Sequence, residues 1–183
     1  TIFSGLNNLQ VDSLLSTTFP TLMGFTRAEV EKMAEDLSHK DKMPEIRTWY
    51  DGYRIHGHEI YNPWSVLKYF KQGCVADAYW VNPSSNSILQ KMMLHSDDSF
   101  LDTLQTLLQG GEIVAWARDG VIYEEIYQHP NDLYTMLLTT GYLTCASVEH
   151  TGLGVRARFI IPNQEILSLF RTEVIERFHA EKL

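Results

Sequence analysis

The chain has 183 residues, of which 44% are hydrophobic and 21% are charged, and its formal net charge is −8. This composition is typical of a folded globular chain and excludes disordered, collagen-like and low-complexity architectures. The acidic balance disfavours non-specific binding to nucleic acid, which needs a basic surface to neutralise phosphates. The sequence also has no apolar run long enough to predict a membrane span.

Two helices are predicted in the first part of the chain. Thr26 and Glu29 have the spacing of a capping box, which indicates that a helix begins there. Pro44 indicates the start of a second helix, which should end at Asp51–Gly52 because glycine readily adopts the positive φ of a helix terminus. The sequence Thr1–Gly5 resembles no signal peptide, and the absence of an initiating Met predicts a processed chain or an excised piece.

A short hairpin and a third helix should follow. Residues 53–61 alternate with period two around His56–Gly57, which predicts two strands and a tight turn. Asn62 followed by Pro63 predicts the next helix start, with Asn62 as N-cap and Pro63 at the first helical position.

The second half predicts a helical segment, a strand, and a helix–hairpin–helix unit. The predicted elements are a helix at 100–108, a strand at 112–117, a helix capped by Asn131 and ended by Gly141, strands at 142–148 and 155–161, and a last helix after Pro162. We therefore predict an α+β fold, mainly α with a few short strands, divided into residues 1–90 and a winged-helix-like module at 91–183.

Residues with a possible chemical role are few. The sequence contains no phosphate-binding loop, no dinucleotide fingerprint and no nucleophile elbow, so no residue is assigned a catalytic or metal-binding role. Cys74 and Cys145 are far apart and have apolar flanks, which predicts reduced core thiols in a cytoplasmic protein. Arg156 and Arg158 lie on the outer face of the second hairpin strand, where they would contact a DNA backbone or serve as solvated charges at a strand edge.

The segment Tyr50–Tyr53 allows two interpretations. The carboxylate of Asp51 lies between Tyr50 and Tyr53 in the sequence and could face a ligand or a neighbouring domain. Alternatively, Asp51 and Gly52 only end a helix, and the spacing alone favours this second interpretation.

The order of several motifs resembles a family of bacterial AAA-ATPase-like proteins, and the resemblance covers nearly the whole chain. The matching stretches are Ile2–Leu9, Gly24–Thr26, Trp49–Tyr53, Ile60–Leu67, Tyr79–Asn86, Leu137–Thr144 and Ile161–Glu165. Members of this family typically carry an N-terminal P-loop ATPase core, a helical lid and often a C-terminal PD-(D/E)XK nuclease-like domain.

The resemblance implies that this chain is an interior fragment: the end of the ATPase core, the helical lid and a winged-helix-like module. The phosphate loop would precede Thr1 and the nuclease carboxylates would follow Leu183, so ATP and Mg²⁺ would bind in the parent protein rather than in this chain. The partners implied are that core and C-terminal domain. The candidates for the lid surface facing the nucleotide or the core are Tyr50, Asp51, Gly52, Tyr53, Arg54, Asn62, Pro63 and Ser65.

Two functions of different classes follow. In the first, the chain is the lid and coupling region of an ATPase and is catalytically inert without the P-loop core. In the second, it is a winged-helix-type interaction module with no nucleotide role, and the acidic balance favours a protein over DNA as its partner. No membrane partner is expected.

Overall fold

The computed structural model describes residues 23–55, 57–80, 98–117 and 130–180. Within these ranges, helices and two small antiparallel sheets form an α+β fold, as the sequence predicts. The predicted boundary between residues 90 and 91 lies outside the described residues, as does the motif at Ile2–Leu9.

Three helices and a hairpin make up the first part of the structure, residues 25–80, which we call the helical unit. It contains α1 (Arg27–Asp36), a 3₁₀ turn (Lys40–Lys42), α2 (Met43–Tyr50), β1 (Tyr53–Ile55), β2 (His58–Ile60) and α3 (Pro63–Lys71). The predicted capping box is confirmed, since the Glu29 amide donates to Thr26 Oγ1 and the Thr26 amide donates to the Glu29 carboxylate. Its core contains Val30, Ile46, Tyr50, Val66 and Tyr69.

A three-stranded sheet with three helices makes up the second part, residues 98–180, which we call the sheet unit. It contains α4 (Asp98–Leu108), β3 (Ile113–Ala117), α5 (Pro130–Thr139), β4 (Thr144–Thr151), β5 (Gly154–Ile160) and α6 (Gln164–Ala180). The strand order is β3-β5-β4, so β5 is central and β4 is an edge strand. Leu107, Leu137, Phe159, Ile166 and Phe170 are buried in its core.

Several predicted boundaries differ from the structure by one to three residues, and two of the differences have a clear physical cause. The helix expected to begin after Asn131 begins at Pro130, where proline is well tolerated because a first-turn residue needs no backbone donor. The strand expected at 142–148 begins at Thr144 and continues to Thr151. The reason is that the backbone amides of Tyr142 and Leu143 both donate to Leu137 O and close the end of α5.

Candidate functional site

A buried carboxylate connects the two units. Glu165, in the first turn of α6, has no exposed surface. Its Oε1 accepts hydrogen bonds from Ser65 Oγ at 2.9 Å and from the Trp80 backbone amide at 2.8 Å. Ser65 is also fully buried. One side chain of the sheet unit is therefore bonded to α3 and to the segment that follows it.

The environment of Glu165 favours its neutral form. Burial raises its pKa to about 7, and the negative charge of Asp77 acts in the same direction, although the bonds from Trp80 and Ser65 oppose the shift. The second oxygen, Oε2, is buried and has no hydrogen-bond partner among the described residues. Glu165 should therefore change its charge near neutral pH.

A second connection joins the end of α2 to the start of α6. The side chain of Asn163 caps α6, because its Oδ1 accepts from the Ile166 amide at 3.1 Å, and its Nδ2 donates to Asp51 O at 2.9 Å. Gly52 has φ +94°, and a Cβ added there would lie 2.1 Å from Pro162 O. Both the conformation and the space therefore require glycine at this position.

A third connection holds β1 against the sheet unit. The Tyr53 hydroxyl donates to Gly141 O at 3.1 Å. The backbone amide of Arg54 donates to Thr144 Oγ1 at 2.8 Å, and this hydroxyl in turn donates to Arg54 O at 3.4 Å. Thr144 is buried, so its hydroxyl replaces water for both polar groups of the Arg54 backbone. We call the three connections together the joint.

Six of the eight residues predicted for the lid surface contribute to the joint or to the core beside it, and Tyr53 and Arg54 do so through the third connection. Tyr50 is fully buried, and its hydroxyl donates to Asp77 O and accepts from the Asp77 amide. Asp51 is buried, and its Oδ1 accepts from the Gly52 amide, while burial raises the pKa of the Asp51 carboxyl. Gly52 and Ser65 make the contacts given above.

Four of the predicted residues, including Tyr53 and Arg54 of the joint, line a groove of about 490 Å³ between the β1–β2 hairpin and β4. These residues are Tyr53, Arg54, Asn62 and Pro63. Asn62 also caps α3, as predicted, because its Oδ1 accepts from the amides of Trp64 and Ser65. The Arg54 guanidinium is exposed and lies 3.5 Å from Glu59.

Arg156 and Arg158 are exposed on the outer face of β5, as predicted. Arg158 Nη1 lies 2.5 Å from Glu112 Oε1, and Arg156 pairs in register with Glu149 on β4. These carboxylates reduce the net positive charge that the two arginines give this face.

Three residues whose side chains form hydrogen bonds of the joint are not predicted as site residues from the sequence: Thr144, Asn163 and Glu165. The local sequence explains each of them otherwise, since threonine is common in strands and Asn163 followed by Glu165 is an ordinary helix start. In the sequence, their hydrogen-bond partners lie 90, 112 and 100 positions away, respectively. No local pattern could have identified these pairs.

The described residues contain neither a cluster suited to metal binding nor a helix suited to crossing a membrane. The described part of the chain holds no group of three or more His, Cys, Asp or Glu side chains placed to bind a metal ion. Within the same ranges, no helix has the length and apolar character needed to cross a membrane. Cys74 and Cys145 are both free and buried, as predicted.

Comparison with known proteins gives one informative similarity. No protein-family model matches the chain, and no solved structure matches it. A curated protein of Azotobacter chroococcum mcd 1, named "Uncharacterized protein in vnfD 5'region", is 27% identical over 181 residues, or 98% of this chain. The chain spans about a third (33%) of that relative's length. Nearly all of this sequence is therefore similar to a part of a longer bacterial protein.

Proposed function

We propose that this chain is the lid and coupling region of a longer, cytoplasmic AAA-ATPase-like protein. It has no catalytic activity of its own, and ATP and Mg²⁺ bind in a P-loop core outside it. The observation that carries the proposal is the joint, which connects the helical unit to the sheet unit through buried hydrogen bonds.

The joint is suited to transmit movement because separating the units is costly. Separation would leave Glu165, the Asp51 carbonyl and the Arg54 amide without their present partners. Each such hydrogen bond contributes about 0.5–1.5 kcal/mol net of the bonds that water would make, so the loss of three together exceeds the thermal energy of about 0.6 kcal/mol. A force applied to the helical unit therefore moves the sheet unit with it, which is what a coupling element requires.

The groove-lining residues give the coupling region a face for its partner. Tyr53, Arg54, Asn62 and Pro63 are the lid candidates that line the groove, and Tyr53 and Arg54 also form bonds of the joint. The longer relative supports a partner within the same polypeptide, because two-thirds of its length lies outside the similarity to this chain.

A nucleotide titration by calorimetry tests this proposal. This chain alone should neither bind nor hydrolyse ATP, whereas a version extended at the N-terminus to include the P-loop core should bind ATP with Mg²⁺. An Arg54→Gln variant of the extended protein tests the proposed lid face, with Arg156→Gln as the matched exposed control. ATP turnover by this chain alone, or no binding by either version, would contradict the proposal.

The alternative of a protein-interaction module is favoured by one observation. Val114 and Trp116 are exposed on β3, where they pair in register with Arg158 and Arg156 of β5, and Leu153 in the β4–β5 turn is 89% exposed. Apolar and aromatic side chains beside an arginine are typical of protein-binding surfaces.

If DNA were the partner instead, a mobility-shift assay at low salt should show binding. This binding should be lost in an Arg156→Ala, Arg158→Ala double variant, and the absence of any shift would exclude DNA.

A further inference from the structure

The groove between the β1–β2 hairpin and β4 follows the edge of a strand. Six consecutive residues, 143–148, line it. Successive side chains of a strand point to opposite faces of a sheet, so a surface lined by all of them lies along the strand edge and not on one face. The strand order β3-β5-β4 leaves β4 at the edge of its sheet. The groove therefore runs along the side of β4 that faces away from β5.

The main chain of Val148 presents unpaired polar groups to this groove. In an antiparallel pair, hydrogen-bonded and non-hydrogen-bonded positions alternate. Counted from the two-residue turn that the pair Thr151 and Gly154 closes, Val148 occupies a non-hydrogen-bonded position opposite Ala157. Its amide and carbonyl therefore point away from β5, and none of the backbone hydrogen bonds among the described residues outside the β4–β5 ladder involves either group.

This edge lacks the features that keep exposed strands from pairing. Proteins protect such edges with charged side chains or with proline. Residues 143–148 read Leu-Thr-Cys-Ala-Ser-Val and contain neither, although charged residues make up 21% of the chain. The first charged side chain, that of Glu149, follows directly after the stretch that lines the groove. The edge is therefore open to strand pairing where the groove lies.

β1 already satisfies one end of the same edge. Arg54 lies opposite Glu59 at the non-hydrogen-bonded position of the β1–β2 hairpin, so its amide and carbonyl point away from β2. Both groups meet Thr144 Oγ1, at 2.8 and 3.4 Å. The edges of β1 and β4 thus face each other, and the groove of about 490 Å³ continues the third connection of the joint.

The polypeptide enters the structure at this groove. Two backbone bonds between Phe25 and Tyr61, of 3.1 and 2.8 Å, fix the entry beside β2, and Met23 lines the groove. The polypeptide that precedes Met23 is therefore joined to the protein at the groove. In this chain it has 22 residues, which can span roughly 70 Å when extended, whereas the six residues of the groove edge span about 20 Å.

We propose that an extended strand of the polypeptide preceding Met23 binds in this groove and continues the sheet beyond β4, with backbone hydrogen bonds to Val148. Strand addition takes its affinity from main-chain hydrogen bonds and its specificity from alternate side chains. Ile55, Ile60 and Leu143 give the groove apolar walls, so the side chains of the added strand that face them are apolar. This strand addition needs no nucleotide, and it is therefore independent of the proposed ATP-linked role.

Hydrogen exchange followed by NMR tests the pairing at Val148, on this chain and on the version extended at the N-terminus. The Glu149 amide, which faces Arg156 of β5, is the reference within the same strand. In at least one of the two proteins, the Val148 amide should exchange within about tenfold of the Glu149 amide. A Val148 amide that exchanges as fast as in an unfolded peptide in both proteins would overturn the proposal.

Photo-crosslinking in the same two proteins identifies the strand. Benzoylphenylalanine in place of Ser147, an exposed residue that lines the groove, should crosslink to the polypeptide preceding Met23, as located by mass spectrometry. The same group in place of Leu153, which is exposed in the β4–β5 turn, is the matched control and should not. Crosslinks from position 147 to a second copy of the chain, or equal yields at both positions, would overturn the proposal.

A proline at Val148 removes the edge donor and leaves the bonds from β4 to β5 in place. Val148→Pro should lower the crosslinking yield from position 147 by about tenfold, the factor that one hydrogen bond of ordinary strength provides. Val148→Ala loses the same side-chain packing but keeps the amide, and should preserve the yield. The midpoint of thermal unfolding shows that both variants are folded, and equal yields in the two would contradict the pairing. If Val148→Pro does not fold, the exchange of the Val148 amide and the crosslinks from position 147 decide.

Discussion

Replacing Glu165 by Gln tests the electrostatics of the joint. Burial raises the pKa of Glu165 to about 7 in the folded chain, against the ordinary value of 4.5 for an exposed glutamate. The folded state therefore binds more protons than the unfolded state between these values, and stability falls as the pH rises. The contribution of Glu165 is fully present below pH 4.5 and is lost as the pH rises through about 7.

The magnitude follows from the same two values. Between pH 5 and pH 8, the linkage relation gives a loss of about 2.5 kcal/mol in the free energy of unfolding from this one group. Glutamine keeps an acceptor for the Ser65 hydroxyl and the Trp80 amide but cannot ionise. When the pH rises from 5 to 8, the free energy of unfolding should therefore fall by about 2–3 kcal/mol less in the Glu165→Gln variant than in the original chain.

Urea unfolding at pH 5, 6, 7 and 8 measures this difference, with Glu149→Gln, an exposed carboxylate on β4, as the matched control. Subtracting the two pH profiles removes the contribution of the seven histidines. If Glu165→Gln and Glu149→Gln gave parallel profiles, the carboxylate of Glu165 would not be held in the environment described, and the reasoning would be refuted.

Two further changes test the rest of the joint. Gly52→Ala should destabilise the chain by about 3 kcal/mol or more, because the added Cβ would lie 2.1 Å from Pro162 O and the residue has a φ of +94°. The matched control is Gly57→Ala, where φ is +79° but the space around the residue is open. This control should cost only about 1 kcal/mol. Equal losses in urea unfolding would mean that contact with Pro162 is unimportant. Thr144→Val should cost about 0.5–1.5 kcal/mol, because it removes the acceptor of the partly buried hydrogen bond from the Arg54 amide. Hydrogen exchange of the Arg54 amide should accelerate, and an unchanged exchange rate would contradict the bond.

The helix starts could be predicted because their causes are local. Thr26 with Glu29, and Asn62 with Pro63, satisfy the first amides of α1 and α3 within three residues of the chain. The same holds for the end of α2, where Gly52 adopts a positive φ. A pattern of a few neighbouring residues contains all the information that these boundaries require.

The joint could not be predicted because its causes are distant in sequence. The local sequence predicts that Gly52 ends a helix, and it does, but the absence of space for a Cβ comes from Pro162, 110 positions further on. The burial of Glu165 likewise depends on Ser65 and Trp80. The motifs Trp49–Tyr53, Ile60–Leu67, Leu137–Thr144 and Ile161–Glu165 all contribute to this region, a convergence that appears only in three dimensions.

Hydrogen exchange in the native state tests most directly whether the joint makes the two units respond as one. The most protected amides of α2 and α3 in the helical unit, and of β5 and α6 in the sheet unit, should exchange with the same opening free energy. A Ser65→Ala, Asn163→Ala double variant should then separate the two sets by about 1 kcal/mol or more. If α2 and α3 exchanged far more readily than β5 and α6 in the unaltered chain, the units would open independently, and the proposed coupling would be contradicted.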